Sequence, residues 1–362
     1  MLCLRILVSI LIAVLSVGVA WAEDAPEIVW TDAARLTIEG VGWKDTPGPY
    51  YRLPAKAEAL VREPVWNLAS HSAGVLVRFL SDSPVLHARW KVTSAELAMP
   101  HMPATGMSGL DLYVKHPSGW RWLGAGRPAA QESSVKIIDN LSENEREFAL
   151  YLPLYNGVES LEVGVAAGSG LKPAPARPKP VVFYGTSITQ GGCASRPGMA
   201  YPAIIGRKLD LPTINLGFSG NGRTETEMVD LLAELDPAAF VIDPLPNMST
   251  GELQERLRYL LKTLSEKHPE TPVILVESVT YQNEFIREAS PTPTQEKNQV
   301  LRAIYDEAKP QWQGRLYYVE GPALLGNDGE GTVDGVHPTD LGFLRMADVL
   351  APVVARAMEP RR

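Results

Sequence analysis

Between about Ile28 and Val165 the apolar positions recur at every second residue in short runs. Val75-Leu76-Val77-Arg78-Phe79, Val85-Leu86-His87-Ala88-Arg89-Trp90, Leu110-Asp111-Leu112-Tyr113-Val114 and Phe148-Ala149-Leu150-Tyr151-Leu152 are the clearest, and this alternation predicts strands with one buried face. Turn-rich pieces such as Ser81-Asp82-Ser83-Pro84 and His116-Pro117-Ser118-Gly119 separate them. With no long helical stretch between, the expected packing is an antiparallel β-sandwich of jelly-roll type.

Beyond Pro180 the pattern changes. Short apolar runs at Val181 to Tyr184, Thr213 to Leu216, Phe240 to Asp243, Val273 to Glu277 and Leu316 to Val319 alternate with amphipathic stretches. The clearest helix opens at Ser249, whose hydroxyl can cap it while Glu252 reaches back. Leu253, Leu257, Leu260, Leu261 and Leu264 then line one face. Strands alternating with helices predict a parallel sheet covered on both sides, a three-layer α/β domain with its chemistry on the loops after the strands. The intervening segment Ala167 to Pro180, AGSGLKPAPARPKP, is too rich in Gly, Ala and Pro to continue a sheet or start a helix. The expected layout is a sandwich over 23–168, a linker over 169–180 and the α/β domain over 181–360.

The chain opens MLCLRILVSILIAVLSVGVAWA, with Arg5 ahead of an apolar stretch and Ala20-Trp21-Ala22 before Glu23-Asp24. This reads as a signal peptide over 1–22. The alternative is a membrane anchor, which the small residues and the polar break disfavour; Cys3 precedes the apolar stretch, against a lipoprotein signal. The mature protein is expected to be periplasmic or extracellular, with no stable membrane insertion. Hydrophobic residues at 45% and charged ones at 21% are ordinary globular usage, and 362 residues suffice for two cores. A formal net charge of −8, more negative still without Arg5, makes nucleic acid and anionic membranes poor partners. After processing only Cys193 remains, so a monomer holds no internal disulfide. No CxxC pair, HExxH helix or EF-hand loop occurs, and no metal or cofactor is expected.

The first strand-end loop, Gly185-Thr186-Ser187-Ile188-Thr189-Gln190-Gly191-Gly192, presents Ser187 either as a nucleophile or as the cap of a following helix. A phosphate loop would need a Lys after the glycines. Of six histidines, His268 ends a charged helix. His71, His87, His101 and His116 lie in the β domain, where structural or substrate-contacting roles are expected. His337 stands in Asp334-Gly335-Val336-His337-Pro338, after the last strand, where Asp334 can fold back onto one ring nitrogen and leave the other for Ser187. Gly220 follows the second strand and Asn247 the third, one offering a backbone N–H and the other a side-chain amide to a developing oxyanion. A turn glycine and a loop asparagine are the structural alternatives. Cys193 lies beyond the strand-end turn and reads as a packed thiol.

The order Ser187, Gly220, Asn247, Asp334 and His337 resembles the four blocks of the SGNH, or GDSL, hydrolase superfamily, here GTSITQGG, NLGFSGNG, LPNM and DGVHP. Ser108-Gly109-Leu110-Asp111-Leu112-Tyr113 is similar to the GxDLY signature of a sandwich that precedes one branch of it. The resemblance implies a flavodoxin-like α/β/α hydrolase domain in which Ser187 is nucleophile, His337 base then acid, and Asp334 its partner. The Ser187 N–H, the Gly220 N–H and the Asn247 side chain would form the oxyanion hole. Thr186 replaces the Asp of GDSL, and the asparagine block lacks its usual Gly before and Asp after. Export and the two-domain layout point to short-chain, acetyl-type esters on a small-molecule or polysaccharide carbohydrate. The alternatives are a lipase or thioesterase-like acyl hydrolase, or a glycan-binding protein with an inactive hydrolase domain. Arg196 and Arg223 follow the Ser187 and Gly220 blocks and are candidate substrate contacts. Trp43, Trp66, Trp120 and Trp122 are candidate sugar platforms, although the expected fate of each is burial in the sandwich core. The oligomeric state is left open.

Overall fold

A computed structural model describes residues 26–286, 288 and 291–359; the signal-peptide reading of 1–22 lies outside the described residues. Ten strands build the N-terminal sandwich: β1 (Ile28–Asp32), β2 (Thr37–Glu39), β3 (Leu76–Ser81), β4 (Leu86–Val92), β5 (Leu110–His116), β6 (Gly119–Gly126), β7 (Glu132–Ile138), β8 (Arg146–Tyr151), β9 (Val158–Ala166) and β10 (Leu171–Pro173). One sheet runs β1-β9-β4-β7, the other β10-β3-β8-β5-β6 with β2 also on β3. Every pairing is antiparallel. Between the sheets lie Val77, Phe79, Trp90, Leu112, Phe148, Leu150 and Val163, the alternate positions that the period of two selects.

The other face of the second sheet is covered too. Leu76, Tyr113, Ala149 and Tyr151 pack with Ala203 of the next domain, which is why β3, β5 and β8 are buried on both sides. One expectation fails at the edge. Leu171–Pro173, placed in a linker, pairs antiparallel with β3, Leu171 opposite Ser81. An edge position tolerates a proline, whose missing N–H costs nothing where no partner strand lies beyond it.

The second domain has strands β11 (Val181–Gly185), β12 (Thr213–Gly217), β13 (Ala239–Asp243), β14 (Val273–Val276) and β15 (Leu316–Val319) in the order β12-β11-β13-β14-β15. All are parallel. The helices in chain order are α1 (Glu63–Ala69) and α2 (Ala104–Met107) within the N-terminal part, then α3 (Ser187–Gln190), α4 (Tyr201–Leu209), α5 (Thr226–Leu232), α6 (Thr250–Lys267), α7 (Pro293–Ala308) and α8 (Asp340–Ala357). Val182, Tyr184, Phe240 and Ile242 face a core built with α5, α6 and α7. Val181, Phe183, Ala239 and Val241 face one built with α4 and α8. The Ser249–Glu252 capping box forms, and the five leucines of α6 are buried. This strand order reverses at β11, so the loop after β11 opens at the crevice where such sheets bind ligands.

The N-terminal part also joins the cores of the α/β domain. Leu53, Ala57, Val65 and Ala69 pack into one of them, and Ala73, Met102, Met107, Leu154 and Tyr155 into the other. No helix among the described residues is long and apolar enough to cross a membrane.

Candidate active site

Ser187 opens α3, but it does not cap it. Thr186 is the cap: its hydroxyl accepts from the Ile188 N–H at 3.2 Å while the Thr189 hydroxyl accepts from the Thr186 N–H at 3.2 Å. The residue that replaces the aspartate of GDSL therefore does the capping, and the neighbouring serine hydroxyl is left for other work. That hydroxyl lies 2.9 Å from His337 Nε2.

His337 is held from the opposite side. Its Nδ1 is 2.7 Å from Asp334 Oδ2, and Asp334 Oδ1 accepts from the His337 and Val336 N–H groups at 2.8 and 3.0 Å. A carboxylate only accepts, so Nδ1 carries the proton and Nε2 faces Ser187 as an acceptor. Partial burial works against the Asp334 charge, but the His337 and Val336 N–H groups and the imidazole outweigh it and bring the carboxyl down to about 2. The loop is braced by Thr332, whose hydroxyl accepts from the Gly335 N–H and donates to Gln282 Oε1. The relay is accessible, with His337 and Asp334 side chains 26% and 40% exposed.

Gly220 and Asn247 meet across the next two strand ends. Gly220 has φ +68°, and a Cβ there would meet nothing within 4 Å, so the left-handed turn and not crowding selects glycine. With its oxygen toward this turn, the Asn247 amide accepts from the Gly220, Asn221 and Gly222 N–H groups at 3.3, 3.1 and 3.2 Å. The opposite orientation would aim an NH2 at those donors for one 3.4 Å contact to the Phe218 carbonyl. The satisfied orientation turns the NH2 away from the turn. It also engages the Gly220 N–H, at the longest of the three distances.

The side chains that hold these loops carry little local mark in the sequence. Gln190, fully buried, accepts from the Ser219 N–H at 3.0 Å and donates to the Leu154 carbonyl at 3.0 Å and His71 Nδ1 at 3.3 Å. Burial, then the Arg52 charge, hold His71 down at about 4, so its ring is neutral and able to accept. Arg52 is itself fully buried and faces carbonyls: Gly217 at 2.6 Å, Asn215 at 3.2 Å, Leu68 at 2.6 Å and His71 at 2.7 Å. Burial lowers it to about 9, still cationic at neutral pH. Tyr155 donates to the Ser187 carbonyl at 3.2 Å. The His101 ring centre lies 6.0 Å from that of His337, so the β domain reaches the rim. The available signal was Gln190's place in the nucleophile block, three residues after Ser187.

Arg196 is not where a substrate contact was expected. Its guanidinium donates to the buried Asp111 carboxylate at 2.7 Å and to the Tyr113 hydroxyl, and it lies over the Trp122 ring. The Gly198 N–H also reaches Asp111, at 2.9 Å. The Asp and Tyr of the GxDLY-like stretch thus clasp the α/β domain. Its glycine is dictated by space, since a Cβ on Gly109 would lie 2.5 Å from the Thr105 carbonyl oxygen. Arg223 remains exposed on the rim and touches the Gly220 carbonyl at 3.3 Å. Of the four tryptophans, Trp43 and Trp120 donate their indole N–H groups to Glu234 and Asp210. Trp66 lies beside Tyr51, and Trp122 is half exposed. Cys193 is buried, and burial followed by the Asp334 charge pushes its thiol up to about 12, which removes it as a nucleophile. Among the described residues no cluster of His, Cys, Asp and Glu is placed to hold a metal.

The GDSL-like lipase/acylhydrolase family model matches residues 178–355, and a model of the N-terminus of SGNH-hydrolase-type esterases, GxDLY, matches 28–171. A Bacteroides ovatus protein described as a GDSL-like lipase is 34% identical, with a TM-score of 0.86 over 92% of this chain and 98% of its own. The chain belongs to this family. As a GDSL-like acylhydrolase it is a carboxylic ester hydrolase. The salicylyl-acyltransferase SsfX3 of a tetracycline pathway shares the fold at 17% identity and TM-score 0.75, over 92% of this chain and 99% of its own. So does a family two carbohydrate esterase from Clostridium thermocellum, solved with cellohexaose, at 16% and 0.57 over 78% and 92%. No curated protein matches the sequence.

Proposed function

We propose that this GDSL-family protein is an exported serine esterase that removes short acyl groups, acetyl above all, from carbohydrate. The observation that carries the reading is the Ser187–His337–Asp334 relay with unbroken hydrogen-bond geometry. Ser187 attacks the ester carbonyl as His337 Nε2 takes its proton. The imidazolium, stabilised by Asp334, returns that proton to the departing alcohol, and water activated by His337 then releases the acyl group from Ser187. The oxyanion of each tetrahedral intermediate is received by the Ser187 N–H, which as the first of a helix has no intrahelical partner, and by the Asn247 NH2. The Gly220 N–H joins them by turning away from the Asn247 oxygen, its bond there being the longest of the three that oxygen accepts.

An accessible relay suits an ester whose alcohol part is large, because the leaving group can extend along the protein surface. The cellohexaose bound by the distant carbohydrate esterase lends support to the sugar. The apolar leader and its Ala20-Trp21-Ala22 end support export. Acetate release from acetylated xylan and acetylated monosaccharides, set beside p-nitrophenyl esters of rising chain length, tests the substrate. Acetyl esters should be the fastest; a preference for long chains rejects the reading in favour of a lipase or thioesterase. Recovery of a chain beginning at Glu23 from the periplasm or medium tests the route.

A further inference from the structure

The sandwich carries a groove of about 620 Å³ along β6 and β7, lined by Thr105, Trp122, Arg127, Val135, Lys136 and Ile137. Its volume lies within the range of small-molecule sites. Trp122 is 49% exposed, yet its indole is fixed: the N–H donates to Asp111 at 2.7 Å, and the Arg196 guanidinium carbon sits 5.1 Å from the ring centre. An exposed aromatic on a strand commonly retains rotamer freedom. One pinned by a buried carboxylate and an arginine presents a flat apolar surface with little ordering left to lose when something stacks on it. Within the same groove Lys136 is paired with Asp139, whereas Arg127 has no hydrogen-bond or ion-pair partner among the described residues.

The groove's position connects it to the reaction. The Thr105 hydroxyl donates to the Ser195 carbonyl at 2.6 Å, in the loop that follows the nucleophile. Four residues earlier on the same segment, His101 stands beside His337. From these placements we infer that the groove is a subsite for a glycan chain extending from the sugar that bears the ester, with a pyranose ring stacked on Trp122 and its hydroxyl or carboxylate oxygens accepting from Arg127. Stacking suits a pyranose, whose axial C–H groups form an apolar face, and a planar guanidinium fork suits paired oxygens. The subsite rests on the carbohydrate-ester reading, and it adds that the polymer is gripped away from the bond that breaks.

Binding is tested apart from turnover. The full chain carrying Ser187→Ala is run in native gels containing soluble xylan, glucomannan or polygalacturonate. At least one should retard it, and Trp122→Ala or Arg127→Ala on that background should weaken the apparent affinity roughly fivefold to tenfold. Retardation in none of the gels, or retardation that survives both substitutions, overturns the subsite. Arg127→Ala decides if loss of the Trp122 bond to Asp111 unfolds its variant. In the active chain both substitutions should lower kcat/KM on acetylated polymer while leaving p-nitrophenyl acetate unchanged. Failure of the active chain on every acetylated sugar, with glycan binding intact, would count against the esterase substrate and leave the groove standing.

Discussion

The two regions that meet at Ser187 are built in opposite ways. On one side, Ser187, the Asp334–His337 turn and the Gly220 and Asn247 loops come from strand ends of one parallel sheet, each made by a few consecutive residues. On the other, Arg52, His71, Leu154 and Tyr155 come from irregular segments of the β domain and act on that sheet from far along the chain. The first region supplies the groups proposed to react, and the second supplies almost nothing but hydrogen bonds to backbone. Chemistry here is local, while its precision is delegated to another fold. An acylhydrolase needs its oxyanion donors fixed before charge develops, and a loop such as Phe218-Ser219-Gly220 gains that fixity only if something braces it from outside its own sheet.

The sharpest way to break this division is to remove the reactive group itself. Ser187→Ala should lower kcat on p-nitrophenyl acetate by about 10⁴-fold or more while the melting temperature stays close to that of the parent; residual turnover within tenfold of the parent would end the triad assignment. A smaller effect is expected from the braces. Gln190→Leu takes the acceptor from the Ser219 N–H and should cost roughly tenfold to a hundredfold in kcat with KM nearly unchanged, because the oxyanion exists only beyond the ground state. Gln190→Glu should fail to restore it, since a carboxylate would face the Leu154 carbonyl without a proton to donate. An equal rise in KM for both variants would mean that Gln190 shapes the substrate pocket and not the oxyanion loop.

The least effect on turnover should come from Asp243, buried below α3 with Tyr201 and Thr189 hydroxyls at 3.3 and 3.5 Å. Burial raises its carboxyl from 3.8 to about 8, against the hydroxyl bonds. Between those values the folded state keeps a proton that the unfolded chain has released, so stability falls as pH rises from about 4 to 8. Asp243→Asn should flatten that slope, raising the melting temperature at pH 8 more than at pH 5, with less than a twofold change in kcat. A variant whose melting temperature still declines in parallel with the parent's would assign the slope to other groups.

Much of this was legible in the sequence, for physical reasons that differ by element. The five parallel strands announce themselves because both faces are buried, and α6 does because its cap and its leucine face agree. The Asp334–His337 turn is readable since its partners are three residues apart. Arg52 was invisible: its acceptors, the Gly217 and Asn215 carbonyls, are 165 and 163 residues away, and nothing local marks an arginine that will be buried among carbonyls. Arg196 was misread for the same reason, its carboxylate lying 85 residues back. Leu171–Pro173 reads as linker because composition registers prolines and lysines, whereas an edge strand needs only one willing neighbour.

The clasp of Asp111 and Tyr113 on Arg196 and Gly198 bears on inheritance. A carboxylate buried in one domain and neutralised by an arginine from the other leaves neither gene segment able to drift or recombine freely, because each half carries a charge that only the other can answer. Exchange of one domain alone would here strand a buried ion. The two halves are bound to be passed on together, and swaps that succeed should exchange both sides of the clasp at once.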